Sequence, residues 1–167
     1  MQVHFDEPFD PHGIVMVLAS SDTGMDELLR TISGLAGGGS VVQLFDPDAI
    51  TGPTHLQGAY VNAMASFKNG TNISKTRGME MLLFASMSTQ IGDAVKLAGA
   101  KTNKLFVVFS DSPRSYSTVK RLLKGIRPLS RSSAHHAEAS RRLGLVDDGN
   151  LDKMVLQKMA ISRIKEL

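Results

Sequence analysis

Cysteine is absent from this 167-residue chain. Its absence excludes disulfides, thiolate nucleophiles and cysteine zinc sites. Tryptophan is also missing, and the aromatic residues are seven Phe and two Tyr. Phe45, Phe67, Phe84, Phe106 and Phe109 all fall at expected core positions. Too few aromatics remain for a platform on which successive bases of a long single strand could stack. No apolar run reaches the ~20 residues that a membrane-spanning helix needs. The N-terminus is acidic, HFDEPFD, and lacks the basic segment and apolar core of a secretory signal. The expectation is a cytoplasmic protein without a membrane. There is no Gly-x-Ser-x-Gly elbow, no Walker loop, no dinucleotide fingerprint after the first expected strand and no His-Glu-x-x-His helix.

The charges that are present lie unevenly along the chain. Residues 1–50 hold eight acidic groups and one basic, residues 51–100 hold two and four, and residues 101–167 hold six and fourteen. The net charge of +3 and the sequence pI of 9.3 therefore average a −7 beginning with a +8 end. If folding keeps the two apart, one face can meet phosphates while the other meets water or a basic partner.

The length fits one domain, residues 1–167, with a real core. An apolar run at 14–19 reads as an interior strand. Met25, Leu28, Leu29, Ile32 and Leu35 then recur at helical spacing, ending at Gly37-Gly38-Gly39. This glycine triplet reads as a mobile connector, because no Lys-Ser or Lys-Thr follows it as in a phosphate loop. A strand at 41–45 leads through Asp46-Pro47-Asp48 to a helix from Pro53, whose stripe is Leu56, Ala59, Tyr60, Ala63, Met64 and Phe67. Helices are expected at 75–87 and 90–98, the second facing inward through Ile91, Ala94, Val95 and Ala98. A strand at 104–110 and a helix at 116–124 follow, the helix stopped at Arg127-Pro128. Residues 129–149 read as a flexible segment with a weak helix at 134–143. The pattern predicts an α/β fold with an α+β tendency: a small mixed sheet of three to four strands surrounded by several helices.

The closing helix, expected at 151–166, carries Leu151, Met154, Val155, Leu156, Met159, Ala160, Ile161 and Ile164 on nearly all sides. Such a helix must be covered all round, by its own domain or by another protein. Met154, Ile161 and Ile164 are the candidate partner-binding residues.

A second candidate site lies in NISKTRGMEMLLFASMSTQIGDAVKLAGAK, residues 72–101. Ser74 and Ile73 sit where a helix N-cap and its hydrophobic staple belong, with Lys75 and Arg77 in the first turn. Cations are disfavoured at the positive end of a helix dipole, by about 0.3–1 kcal/mol each, so this pair points to an outside anion. Two solvated surface cations are the plainer alternative. Ile73 offers an apolar contact to a base, Lys75 and Arg77 meet phosphate, and Gln90 meets a base edge.

Other polar clusters point to structure. His135 and His136, with Glu138, have the residue types of a metal site, but adjacent helical side chains diverge by about 100°. No metal is expected there. His55 at a helix start reads as a structural hydrogen-bonding residue, and Glu80 either as a buried carboxylate or, more plainly, as a helix-surface or interhelical hydrogen bond. Nothing assembles into an acid and a base, so no catalytic residue and no cofactor is expected.

VVQLFDPDAITGPTHLQGAYVNAM (41–64), NISKTRGMEMLLFAS, and TQIGDAVKLAGAK followed by KLFVVFS together resemble the small accessory subunits of the KEOPS tRNA-modification complex, the TPRKB-like or archaeal PRPK-binding protein family. The resemblance covers about half the chain. Its most specific pieces are His55-Leu56, Ile73-Ser74 with Met79-Glu80, and Gln90-Ile91. It implies a non-catalytic subunit of the complex that places threonylcarbamoyl on the adenosine beside the anticodon of ANN-decoding tRNAs. Such a subunit docks on the small kinase-like ATPase subunit, recruits tRNA by its 3′ CCA end, and associates only indirectly with the threonylcarbamoyl-transferase subunit. Archaeal relatives commonly carry Arg immediately before the Gln-Ile pair, where this chain has Thr89. The role of that cation is either lost here or carried by Lys75, Arg77 or the basic C-terminal half. Two alternatives stand beside this reading: a protein adaptor that regulates the ATPase without touching RNA, and a small α/β enzyme built on Asp46, Asp48, His55 and Glu80.

Overall fold

The computed structural model describes residues 13–36, 39–130, 135–146 and 149–164. Its centre is β1 (Val15–Ser20), flanked by β3 (Phe106–Ser110). Strands β2 (Val42–Phe45) and β4 (Lys124–Pro128) complete the order β2-β3-β1-β4. Every pairing is antiparallel, where a mixed sheet was expected. The apolar runs of β1 and β3 are unbroken because both faces of the sheet are covered. Met16, Leu18, Phe45, Val107 and Phe109 point into one core, and Val15, Val17, Leu44, Phe106 and Val108 into the other.

Helices α1 (Met25–Leu35) and α5 (Pro113–Lys120) close the second core through Leu28, Ile32, Tyr116 and Val119. The larger core lies under α2 (Pro53–Asn69), α3 (Arg77–Ser86), α4 (Ile91–Ala98) and α7 (Leu151–Ser162). Between β2 and α2 a 3-10 turn, Pro47–Ala49, receives α6 (His136–Arg142). Arg142 bridges Asp46 and Asp48 across that contact at 3.0 and 3.3 Å. This helix lies within the segment 129–149, where a weak helix at 134–143 was expected. Residues 131–134 and 147–148 of it, and Gly37-Gly38 of the connector, fall outside the described residues.

Three expectations are corrected. The helix anticipated at 116–124 starts at Pro113, where Ser112 Oγ accepts from Ser115 N at 3.4 Å, and ends at Lys120. The chain turns there, and 124–128 becomes the edge strand β4. Val119, Leu122 and Leu123 had spanned a turn that only long-range pairing reveals. Gly125 takes φ 59° beside Ser20, where the β1–β4 register shifts. The strand is exposed along its length, and its Lys124, bulge and Pro128 are features that discourage edge-to-edge pairing. The last helix stops at Ser162 rather than 166, and residues 165–167 lie outside the described ones.

The third correction concerns α4. Only Ala94 and Ala98 face inward, whereas Ile91 and Val95 are 43% and 44% exposed. Small residues are required because the helix end approaches β2 closely. Asp46 N donates to Ala98 O at 2.9 Å and Phe45 bridges to Gly99. A Cβ on Gly99 would stand 2.7 Å from the Val95 carbonyl oxygen, a backbone atom with little freedom to yield. Gly99→Ala is expected to cost ~1–3 kcal/mol in a urea unfolding titration. An unchanged midpoint would show that the α4–β2 approach tolerates a side chain.

Candidate nucleic-acid interface

The loop between α2 and α3 begins where Gly70, at φ 68°, ends α2 by donating to Phe67 O and Ser66 O. Asn72 Nδ2 then donates to Ser74 O at 2.9 Å and rounds the turn. The N-cap of α3 is Thr76, whose Oγ1 accepts from Met79 N at 3.3 Å, not Ser74. Lys75 therefore precedes the helix, and Arg77 is its first residue. Glu80 supplies the acidic group of the first turn, so this helix start carries its own carboxylate. Arg77 Nη1 donates to Gly39 O at 2.5 Å, and its guanidinium lies 6.0 Å from the Phe67 ring centroid. Lys75 is exposed and has no ion-pair partner among the described residues.

Glu80 explains why Ser74 does not cap. Its carboxylate is fully buried, and Oε2 accepts from the backbone N–H of Ile73 at 3.0 Å and of Ser74 at 2.8 Å. The Ser74 hydroxyl, 2.9 Å from Oε2 and 2.8 Å from Thr76 O, has one proton to share between them. Oε1 accepts from Arg163 Nη2 at 2.9 Å and stands 3.3 Å from Ser66 Oγ. Arg163 in turn lies over the Phe84 ring, 4.2 Å from its centroid. A buried carboxylate is tolerable only when it is both paired and hydrogen-bonded, and here α2, the loop and the end of α7 supply those partners together. Arg163 was missed in the sequence because nothing local marks a residue that pairs 83 positions away.

Ile73, 41% exposed, lines a cleft of about 360 Å³ with Asn62, Thr71, Phe84 and Arg163. Gln90, the N-cap residue of α4, lines a different cleft of about 590 Å³ with Ser88, Thr89, Asp93, Lys96 and Leu97. The two are flanked by the end of α7, since Ser162 borders one and Arg163 the other. The five candidate RNA-binding residues thus divide into an exposed pair, Ile73 and Lys75, a buried Ser74, an anchored Arg77, and Gln90 on the second cleft.

On α7, Leu151, Val155 and Met159 are buried in the core and Met154 is partly buried. Ile161 and Ile164 are 51% and 62% exposed. The helix is therefore not purely internal.

The residues of the enzyme alternative are dispersed. Asp46 and Asp48 are held by Arg142, His55 is in the core, and Glu80 belongs to the loop anchor. Neither cleft above, nor a smaller one lined by Arg142 and Lys158, is bordered by any of these four. His135 Nδ1 donates to Asp48 Oδ1 at 2.5 Å and His136 Nδ1 to Thr51 O at 2.8 Å. The two imidazoles serve separate acceptors. No group of three metal-ligating side chains occurs among the described residues.

A family model for the kinase binding protein CGI-121 matches residues 27–162, from α1 through the last residue of α7. The chain belongs to this family, which is the one that its motifs resemble, the small KEOPS subunits. No curated protein matches the chain.

His55 yields a prediction. Its Nδ1 accepts from Thr51 N at 3.2 Å and its Nε2 donates to Ala85 O at 2.9 Å, so the ring is a neutral tie between α2 and α3. Full burial lowers its pKa from 6.5 to about 4. The unfolded chain binds the proton first, so this contribution is complete above pH 6.5 and is lost as pH falls toward 4. The loss amounts to about 3 kcal/mol. Urea titrations at pH 7 and pH 4 are expected to show it, and His55→Gln to flatten that pH dependence. An equally steep acid loss in the variant would assign it to other groups.

Proposed function

We propose that this chain is the non-catalytic adaptor of a KEOPS complex for tRNA threonylcarbamoyladenosine synthesis. It docks on the small kinase-like ATPase subunit and recruits tRNA through the single-stranded 3′ CCA end. The observation that carries the reading is the outer surface of α7. In a chain of a kinase-binding family, the closing helix leaves Ile161 in water, as the residues just after it leave Ile164, while Leu151, Val155 and Met159 hold the helix to the core. Met154, partly buried, borders the same surface. Exposed apolar groups on an anchored helix suit a partner's apolar pocket.

The loop before α3 supports RNA recruitment. Ile73 offers an apolar surface beside the exposed Lys75, Glu80 and Ser74 fix the backbone that presents them, and Arg77 carries a second cation at the helix start. Gln90 extends the surface to the neighbouring cleft. The transferase subunit is reached only through the ATPase subunit, no cofactor is required, and the setting is cytoplasmic. A protein-only adaptor is the second reading, favoured by the engagement of Arg77 with Gly39 and by Thr89 in place of Arg. The salt dependence of tRNA affinity separates them, since each neutralised phosphate of a single strand contributes about −0.7 to the log–log slope.

Two sets of variants test the two surfaces. Lys75→Glu with Arg77→Glu is expected to weaken tRNA binding without unfolding the chain, and deletion of the 3′ CCA from the tRNA to do the same. Unchanged affinity at low salt removes the loop from the site. Ile161→Asp is expected to leave the monomer folded and to cost ~2 kcal/mol or more in binding to the kinase-like subunit. Val155→Asp, by contrast, buries an unpaired charge and should unfold the monomer. If Ile161→Asp and Ile164→Asp both bind like wild type, the partner surface lies elsewhere.

A further inference from the structure

We propose that Glu80 is a positioning residue through which the RNA loop and the partner helix influence one another; the inference rests on the preceding reading of those two surfaces. The two carboxylate oxygens divide the task. Oε2 holds the backbone N–H groups of Ile73 and Ser74, at 3.0 and 2.8 Å. Oε1 holds Arg163 at 2.9 Å. Arg163 follows α7 directly and lies between Ile161 and Ile164 in the chain.

The state of the guanidinium therefore sets the state of the loop. The guanidinium side of the pair is still 18% exposed, on the cleft that Ile73 lines, while Glu80 is fully buried. A subunit that covers Ile161 and Ile164 steadies the end of α7, and with it the position of Arg163. The pair then keeps one geometry and holds the carboxylate more firmly. The two amides on Oε2 are fixed with it, and Ile73 is presented in one position. An RNA end seated against Ile73 holds the loop on Glu80 from the other side. Such coupling is reciprocal: the subunit raises the affinity for RNA by the same factor as RNA raises the affinity for the subunit. The Phe84 ring under the guanidinium limits the alternatives open to Arg163.

Amide hydrogen exchange of the full chain tests this, because Ile73 and Ser74 report the loop directly. The chain is measured alone, with its kinase-like subunit, and with a short RNA ending in CCA. Binding of the subunit is expected to slow exchange at Ile73 and Ser74 by ~10-fold, and Arg163→Ala to speed it by a similar factor in the isolated chain. Val107 and Val108 in the sheet should keep their wild-type exchange. Arg163→Lys, which retains the charge, is expected to recover most of the protection, whereas Arg163→Ala should still bind the subunit without transmitting protection to the loop. The proposal is overturned if the subunit binds wild type without slowing these two amides, or if Arg163→Ala leaves them at wild-type rates. It is overturned equally if Arg163→Ala accelerates the sheet as much as the loop, which would make the pair a general stabiliser. Absence of any binding by subunit or RNA refutes the preceding reading instead, and the Arg163→Ala comparison in the isolated chain still decides whether Glu80 and Arg163 set the loop.

Discussion

The buried carboxylate of Glu80 is the interaction on which the candidate site depends. It joins the end of α7 through Arg163 and the loop before α3 through two backbone N–H groups, with Ser66 of α2 within reach. Each partner supplies something the charge needs inside the protein, and removal of any one leaves the others facing an under-compensated anion. An apolar residue at position 80 could fill the space but could not specify the path of residues 73 and 74. The loop is shaped from within, which leaves the outward faces of Ile73 and Lys75 free for a ligand.

The rest of the architecture serves to hold these parts in register. Two cores on opposite faces of one antiparallel sheet make β1 and β3 a rigid centre. The neutral His55 ties α2 to α3 by accepting from Thr51 and donating to Ala85, so the two helices that bracket the loop are fixed to each other at a second point. Ala94 and Ala98 let α4 approach β2 closely, and in doing so turn Ile91 and Val95 outward. Together with Ile161 and Ile164, these residues leave the helical side of the molecule with apolar groups in water. A family defined by kinase binding accounts for such a surface, while Asp46 and Asp48 are held by Arg142, His55 by Thr51 and Ala85, and Glu80 by Arg163 and the loop.

Much of the fold was legible because its signals are local. The unbroken apolar runs mark β1 and β3, and the stripe from Leu56 to Phe67 marks α2. The failures share a cause, which is that a distant partner decided between two local options. Ser74 and Thr76 are both good N-cap residues, and Glu80 settles the choice by taking the N–H and part of the hydroxyl of Ser74. Val119, Leu122 and Leu123 suit a continuing helix until β4 pairs with β1. Ile91 and Val95 suit the inward face of a helix, and only the contact with β2 shows that alanines must occupy it. The candidate partner helix was readable from its surplus apolar residues, but which of them face water depends on how α7 seats against α2.

The central claim is that this chain carries two separate surfaces, one for the end of an RNA and one for a kinase-like subunit. Backbone amide NMR shifts, recorded as the labelled chain is titrated first with a short RNA ending in CCA and then with the subunit, test it most directly. The account predicts that RNA perturbs residues 72–77 and Gln90, that the subunit perturbs Met154 and Ile161 on the outer face of α7 and Ile164 just beyond it, and that the two sets overlap only around Glu80 and Arg163. Perturbation of the same set by both ligands, or no perturbation of the loop by RNA, would contradict it.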